Sequence, residues 1–243
     1  MKITYIAHSS FLVETEAAVL LFDYTEGELP KTESGKPWYI FVSHVHGDHF
    51  SPCIFDIPRR LKVRCLYILS YDIQESRVPE MERNQVIFME SREKIMVDGM
   101  WVETLKSTDE GVAFLITLPQ GPVLYHAGDL NDWIWEGEDP QWNLEMEKSY
   151  RAALDTIKGR HIDAAFVPVD PRLASHACDG AELLAEAVTI AHLFPMHCWE
   201  KYDVVARLKQ RGIITGKGCH VADINKRGQV FEIDPGKDKN VGR

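Results

Sequence analysis

The sequence has no long hydrophobic run. None of its apolar stretches approaches the roughly 20 residues that a helix needs to cross a bilayer. Residues 1–6 contain one basic side chain, and they have neither a long apolar segment nor a small-residue cleavage site, so they do not resemble a signal peptide. We therefore expect a cytoplasmic protein that does not contact a membrane.

The sequence also lacks any Cys-x-x-Cys pair of the kind found in zinc ribbons and redox motifs. Its five cysteines are widely spaced along the chain: Cys53, Cys65, Cys178, Cys198 and Cys219. This usage favours a reducing compartment and free thiols that pack as small hydrophobic side chains. A thiolate ligand at Cys198 would require unusual metal chemistry.

Positive charge is scarce. The chain has 27 Lys and Arg against 37 Asp and Glu, a formal net charge of −10 at pH 7. Proteins whose main role is to hold a phosphate backbone need a basic surface, so nucleic acid is not an expected partner. A nuclease that touches nucleic acid only briefly is compatible with this charge.

The remaining composition is that of an ordinary globular protein. Hydrophobic residues make up 45% and charged residues 26%, which excludes collagen-like, disordered and coiled-coil chains. At 243 residues the core is large enough to need no disulfides. Because no linker or repeat divides the sequence, we predict a single α/β domain over residues 1–243, with a frayed polar tail at 235–243.

Short segments rich in β-branched and aromatic residues predict strands along most of the chain. They are residues 3–8, 11–15, 19–23, 38–43, 63–69, 86–89, 94–96, 101–106, 112–118, 122–126, 164–169, 194–197, 221–224 and 229–233. Fewer segments predict helices. One begins at Pro140 after the capping residue Asp139 and stops before Gly159, one spans 179–192 with an Asp-x-x-Glu capping box, and one spans 204–211.

A histidine cluster follows the apolar segment 38–43, which has the pattern of a strand buried on both faces. Residues 44–49 have the sequence His-Val-His-Gly-Asp-His. Residues two apart in an extended chain share a side, so His44 and His46 can hold one ion. Gly47 permits the turn that brings Asp48 and His49 to a second position. Imidazoles and carboxylates that converge in this way predict a metal site.

The pattern His-x-His-x-Asp-His after a buried strand resembles the signature of the metallo-β-lactamase superfamily of metal-dependent hydrolases. The segment 7–11, Ala-His-Ser-Ser-Phe, is similar to the Gly-His-Ser/Ala-x-Phe start of a subgroup that includes L-ascorbate-6-phosphate lactonase and uncharacterised hydrolases, with Ala7 in place of Gly. Segments 22–23, 126–129 and 194–197 resemble the early strand-end Asp, the Gly-Asp motif and the late His motif. The resemblance implies an α/β (α+β) fold, a four-layer αββα sandwich with metals at one edge.

The resemblance also assigns ligands. It implies a first metal held by His44 and His46, a second held by Asp48, His49 and His197, and Asp129 as the bridge. Asp23 would be structural. We expect two divalent ions per chain, zinc before manganese or iron, since all three accept a His/carboxylate set.

One feature departs from the family pattern. The family supplies another His to the first metal from the middle of the chain, but no histidine lies between His49 and His126. Two interpretations stay open for Asp109 in that stretch. It replaces the missing imidazole, since carboxylates bind the same ions, or it is an ordinary turn residue beside Gly111. In the second case the first site would bind metal weakly or not at all.

Four residues outside the ligand set are candidates for contact with substrate: His8, Asp170, Arg172 and His176. The family match places His8 near the metals, against the alternative of a core histidine. Asp170 and Arg172 follow a buried strand, where ligand-contacting loops gather, and Arg172 could anchor an anionic group. His176 could act as an acid or a ligand. Each of these last three could equally be an ordinary loop residue.

For the remaining aromatic residues we favour ordinary structural roles. His126 is expected to point away from the site. Trp133, Trp135 and Trp142 are expected to pack in the core, although they could instead wall a pocket.

These features predict a metal-dependent hydrolase with a small-molecule substrate. A metal-bound water has its pKa lowered from 15.7 to about 7, and the resulting hydroxide would attack a small ester, lactone, amide or phosphoester. Asp48 or Asp129 would orient the nucleophile and pass on a proton. The alternatives are a phosphodiesterase or nuclease on the same fold, a metal-binding protein without hydrolysis, and a redox protein with iron at the same site.

Overall fold

The computed structural model describes residues 1–119 and 121–235, so Gln120 and most of the predicted frayed tail lie outside the described residues. Fourteen strands are formed within them: β1 Lys2–Ala7, β2 Ser10–Glu14, β3 Val19–Phe22, β4 Trp38–Val42, β5 Cys65–Ser70, β6 Val86–Met89, β7 Lys94–Val97, β8 Met100–Lys106, β9 Val112–Thr117, β10 Val123–His126, β11 His161–Pro168, β12 Thr189–Met196, β13 His220–Val221 and β14 Gln229–Glu232.

The strands form two seven-stranded mixed sheets. The first has the order β14-β1-β2-β3-β4-β5-β6 and the second β13-β12-β11-β10-β9-β8-β7. Strands β3 to β6 run parallel in the first sheet, and β10 to β13 run parallel in the second. The carboxyl ends of several strands therefore meet at one edge of the molecule.

Alternating side chains along β4 explain the layers. Tyr39 and Phe41 belong to the core between the sheets, where the Phe41 ring lies 5.3 Å from Phe114 of β9. Trp38 and Ile40 point the other way, into a second core under an outer helical layer. A strand with both faces buried has this continuous apolar pattern, as predicted for residues 38–43.

Four α-helices are described: α1 Ile57–Leu61, α2 Pro140–Asp155, α3 Asp179–Ala187 and α4 Asp203–Arg211. Short 3-10 segments accompany them at Pro52–Asp56, Glu75–Arg77, Glu80–Gln85, Pro171–His176 and Thr215–Lys217. The apolar face of α1 joins the outer core of the first sheet, and buried residues of α2, α3 and α4 join the core of the second. The predicted four-layer αββα sandwich is confirmed. Among the described residues, no helix combines the length and the apolar character required to span a membrane.

Two predicted elements differ from the structure. The helix at 179–192 ends at Ala187, because Val188 is extended and Thr189 begins β12, which pairs in parallel with β11. This long-range pairing outweighs the helical periodicity. The predicted capping box is also wrong, because Cys178 is the N-cap, without a side-chain cap bond, and Asp179 lies in the first turn. In addition, the strand at 221–224 is reduced to His220–Val221.

Candidate metal centre

Loops that follow the carboxyl ends of the strands bring the predicted ligands together at one edge of the sandwich. The histidine cluster follows β4, Asp129 follows β10, and His197 follows β12. The resulting groups are His44/His46/Asp48, His44/His49/Asp129, His46/Asp109/Asp129 and His8/Asp48/His49/His197, each with one ligand atom per residue within 4.8 Å of the others. Residues from five separate stretches of the chain therefore surround a single centre.

The first side of this centre is partly open to solvent. His44 Nε2 lies 3.1 Å from His46 Nδ1 and 3.5 Å from Asp129 Oδ2. Asp109 Oδ2 lies 3.9 Å from His46 Nδ1. Asp109 therefore lies beside the histidine cluster, in a group with His46 and Asp129 that could hold an ion.

The second side is more deeply buried. Asp129 Oδ1 lies 3.2 Å from His49 Nε2 and 3.4 Å from His197 Nε2. Asp48 Oδ2 lies 3.9 Å from His197 Nε2 and 3.4 Å from His8 Nε2. Because Asp129 presents Oδ2 to one side and Oδ1 to the other, it occupies the position that a bridging carboxylate requires.

The buried atoms of the second side fit a cation. Within the described part of the chain, Nε2 of His8, His49 and His197 and Oδ1 of Asp129 are buried without a hydrogen-bond partner. Each such atom costs about 1–3 kcal/mol when it stays unsatisfied. A divalent ion among His49, His197 and Asp129 would satisfy three of them, and a nitrogen and oxygen donor set suits zinc, manganese or iron.

Carboxylates behind the histidines hold these rings in place. Asp23 Oδ2 is 2.7 Å from His49 Nδ1, and Asp170 Oδ2 is 2.8 Å from His197 Nδ1. With Nδ1 engaged in this way, Nε2 of each ring turns toward the centre, an arrangement that protein metal sites commonly use. Asp170 is fully buried, so the structure places it behind a ligand and not on an open substrate surface.

The pKa values of the cluster follow from burial and neighbouring charge. Burial lowers the pKa of His44 to about 4, so this ring is neutral at pH 7, as a metal ligand must be. Burial alone would lower the pKa of His49 as well, but Asp129 and Asp23 outweigh it and raise that pKa well above its ordinary value. Although burial opposes it, the positive charge on His49 holds the pKa of Asp129 far below its usual range. Asp129 is therefore ionised and available as a ligand.

Two glycines allow the strands to approach closely enough to form the centre. Gly111 and Gly128 have φ of +65° and +52°. A Cβ on Gly111 would lie 2.1 Å from the carbonyl oxygen of Ser43, and one on Gly128 would lie 2.5 Å from Ser43 Cβ. Neither role was predicted from the sequence, although Gly128 belongs to the Gly-Asp motif.

The other candidate residues lie around this centre. His126 is buried, and its Nε2 forms a hydrogen bond with the carbonyl oxygen of Ser9. Its ring stacks on the ring of Phe22 in the core. His176 forms a hydrogen bond through Nδ1 with Oδ2 of Asp179, and it belongs to none of the ligand groups. Trp133 is buried and donates to the backbone oxygen of Asp129, which supports the bridging loop.

Trp135 and Trp142 differ from Trp133. Trp135 is half-buried and stacks on Trp133, with the guanidinium of Arg172 on its ring. Trp142 is exposed on α2, so its packing role is not realised.

Two packed mixed sheets with a His/Asp cluster at one edge define the class of metallo-β-lactamase fold proteins. A sequence model described as "Beta-lactamase superfamily domain" matches residues 2–138, more than half of the chain. The chain belongs to this superfamily, which confirms the resemblance drawn from its motifs.

Named proteins with similar sequences or folds agree with this assignment. A UPF0173 metal-dependent hydrolase of Pyrobaculum neutrophilum is 31% identical over 143 residues, which cover 53% of this chain and 61% of that protein. The match thus spans less than two thirds of the relative. Igni18, a metallo hydrolase from Ignicoccus hospitalis, has a similar fold with a TM-score of 0.63 and 17% identity, over 96% of this chain and 99% of Igni18. CmlA, a diiron β-hydroxylase from Streptomyces venezuelae, matches 96% of this chain and 54% of its own, with a TM-score of 0.62 and 12% identity.

Proposed function

We propose that this protein is a metal-dependent hydrolase with a centre for two divalent cations. The observation that carries the proposal is the orientation of Asp129. Its Oδ2 faces His44, and its Oδ1 faces His49 and His197, whose buried Nε2 atoms have no hydrogen-bond partner among the described residues. The relatives described as metal-dependent hydrolases support the same activity.

The chain's own residues would perform defined tasks in this reaction. His44, His46, Asp109 and Asp129 would hold the first cation, and Asp48, His49, His197 and Asp129 the second. Bound divalent cations supply hydroxide at neutral pH by lowering the pKa of water to about 7.

Asp48 is the acidic group best placed to move a proton. Its side chain is 37% exposed and lies beside the half-buried ring of His8, whose hydrogen bond keeps the pKa of Asp48 well below its usual range. Asp48 would orient the nucleophile and carry a proton toward the leaving group.

Zinc is the first choice of ion for this centre, and a reducing, cytoplasmic location is consistent with five free cysteines. Burial raises the pKa of Cys198 to about 12, which makes a thiolate ligand there unfavourable. The centre is therefore built from nitrogen and oxygen donors.

The variants His46→Ala and Asp129→Ala test the proposal. Both variants should lose metal, measured by inductively coupled plasma mass spectrometry. Their rate of hydrolysis of a panel of neutral aryl esters, lactones and amides should fall by at least about a thousandfold. His176→Ala is the matched control, because this histidine lies outside the ligand groups, and it should keep both properties. A metal-free His46→Ala protein that keeps the full rate of hydrolysis would contradict the mechanism.

The carboxylate at position 109 favours a second candidate, an iron redox protein. With Asp109 the first side has two imidazoles and two carboxylates, and sets of two histidines with a carboxylate suit non-haem iron. Isolation of the protein from cells grown with equal zinc and iron distinguishes the candidates. Zinc in the purified protein supports the hydrolase, and stoichiometric iron supports the redox protein.

A further inference from the structure

A cleft opens directly beside the second side of the metal centre. Its volume is about 640 Å³, which suits a small molecule, and His8 and Asp48 form its inner wall. A larger cavity of about 1190 Å³ lies near the chain termini, with Met1, Lys36 and Ile233 in its wall, and no candidate ligand lines it. Of these two cavities, only the smaller is lined by residues of the candidate centre, so a substrate that reaches the second side would enter there.

The arginine that lines this cleft is neutralised. Arg227 Nη1 lies 2.7 Å from Glu26 Oε1, and its Nε lies 2.8 Å from Glu200 Oε1. All three residues line the cleft, so two carboxylates face one guanidinium. This part of the wall carries a net negative charge.

A second arginine near the cleft is neutralised as well. Arg172 Nε and Nη2 lie 2.9 and 2.6 Å from Asp170 Oδ2, and its guanidinium stacks 4.6 Å from the centre of the Trp199 ring. The sequence suggested Arg172 as an anchor for an anionic group. In the structure its charge is already matched by a buried carboxylate.

The metal centre itself offers little excess positive charge. Its ligands include three carboxylates, Asp48, Asp109 and Asp129. Two divalent cations with one hydroxide would therefore leave the centre formally neutral when the histidines are neutral ligands. An anionic substrate would find no strong attraction from the centre or from the two arginines.

The cleft presents an aromatic face beside these carboxylates. Trp199 is 42% exposed, and its ring lies 4.6 Å from His8. Trp199 and Glu200 both have left-handed backbone, with φ of +50° and +57°. Two consecutive strained residues without glycine are unfavourable and are typical of functional sites. Here they place an indole and a carboxylate in one cleft, and both already contact cationic groups of the chain, because Arg172 stacks on the indole and Arg227 pairs with the carboxylate.

We propose that the cleft binds small molecules that have a planar apolar group and no net negative charge, and that it prefers a cationic ligand to an anionic one of the same shape. The proposal names the substrate class of the proposed hydrolase and so rests on that function. Its test, however, measures binding and does not depend on turnover.

Calorimetry on the zinc-loaded protein tests this preference with benzyltrimethylammonium, benzyl alcohol and benzoate. At low ionic strength the cation should bind at least about tenfold more tightly than benzoate, and added salt should reduce the difference, since exposed charges are screened within about 10 Å at 0.1 M salt. Trp199→Ala should weaken binding of the cation about three- to tenfold, because the cation–π contact is lost. Benzoate binding as tightly as the cation would overturn the proposal.

Charge variants test the cause of the preference. Glu26→Gln combined with Glu200→Gln frees Arg227, so the ratio of affinities should move at least about tenfold toward benzoate. Glu16→Gln combined with Glu80→Gln is the matched control, because it makes the same change in net charge at exposed positions that do not line the cleft. An unchanged ratio in the first pair, or an equal shift in both pairs, would overturn the proposal.

Hydrolysis of neutral phenyl acetate by the same zinc-loaded sample is measured separately. Selective binding without turnover would therefore contradict only the hydrolase function and not the binding preference.

Discussion

Single residues behind the ligands decide the orientation of the histidine rings. Asp23 engages Nδ1 of His49, and Asp170 engages Nδ1 of His197. In both rings this contact leaves Nε2 facing the centre. Because ring orientation decides which nitrogen can bind an ion, the residues behind the ligands should control metal affinity as strongly as some ligands do.

Asp170→Asn tests this control. We expect a 10- to 100-fold loss of metal affinity, since an amide is a weaker acceptor than a carboxylate for Nδ1 of His197, and this is the effect that the loss of such a partner typically has. Titration of metal-free protein with zinc in the presence of a competing chelator measures it. Asp163→Asn is the control, because Asp163 is also buried but accepts a hydrogen bond from Val123, outside the ligand groups. Equal affinities in the two variants would contradict the positioning role of Asp170.

Asp132 shows the opposite situation, a buried carboxyl for which burial and acidic neighbours outweigh the nearby Arg151 and His176. Burial, with the nearby charges of Glu147 and Asp179, raises its pKa to about 6. Its Oδ1 is buried without a hydrogen-bond partner among the described residues. Since the folded-state pKa lies above the unfolded value near 3.9, the folded protein binds this proton more tightly. The resulting stability is fully present below about pH 4 and is lost as the pH rises through about 6.

Asp132→Asn should therefore stabilise the protein above pH 6. The expected gain at pH 8 is about 1–2 kcal/mol, within the roughly 3 kcal/mol that a two-unit shift represents, and it should shrink toward pH 5. Urea unfolding of both proteins at the two pH values measures it. A variant that is less stable than the original protein at pH 8 would show that the ionised carboxylate has an unrecognised partner.

At the scale of elements, the centre depends on how closely the ends of strands approach one another. The ends of β4, β9 and β10 meet where Gly111 and Gly128 lie against Ser43. A side chain at either glycine would collide with backbone or with a buried residue. The positions of Asp109 and Asp129 therefore depend on two neighbouring glycines as much as on the strands themselves.

Gly128→Ala should destabilise the fold by at least about 3 kcal/mol, since left-handed backbone costs an alanine about 1–2 kcal/mol and the collision with Ser43 adds to it. It should also lower the zinc content per chain. Gly137→Ala has the same left-handed strain, φ +86°, with nothing within 4 Å of the new Cβ, so it isolates the cost of the backbone. Denaturant unfolding and metal analysis measure both effects. A similar loss in the two variants would show that the approach to Ser43 is unimportant.

Element prediction from the sequence succeeded where local pattern and long-range pairing agree. The continuous apolar segment at 38–43 became β4, and Pro140 after Asp139 began α2. It failed at residues 188–192, where an apolar periodicity suggested helix but the parallel register between Ile162 and Ile190 requires a strand. A single sequence contains no sign of that pairing, because the partner lies 28 residues away.

At the scale of the whole molecule, the two sheets bring distant ligands to one centre. The histidine cluster, Asp129 and His197 could be identified in sequence because motif and order coincide. The sequence leaves the role of Asp109 open, and the fold places its carboxylate 3.9 Å from His46. The contact of His8 with Asp48 and the role of Asp170 behind His197 depend on side-chain orientation, which no spacing along the chain specifies.

Metal removal should also destabilise the whole fold. Without a cation the buried Nε2 and Oδ1 atoms of the second side stay unsatisfied, and binding that is saturated at 100 to 1,000 times Kd is worth about 3–4 kcal/mol. We expect the Tm of chelator-treated protein to be lower by several degrees and to recover when zinc is returned, as measured by scanning calorimetry. Identical melting curves for the two forms would argue against a metal centre in the folded protein.

The central claim is a centre of two cations bridged by Asp129, and anomalous diffraction from crystals of the zinc-loaded protein tests it most directly. We predict two anomalous peaks, one among His44, His46 and Asp109 and the other among Asp48, His49 and His197, with an oxygen of Asp129 bound to each. The Asp109→Ala variant should retain only the second peak. A single peak in the original protein, or two peaks with Asp129 bound to neither, would contradict the account.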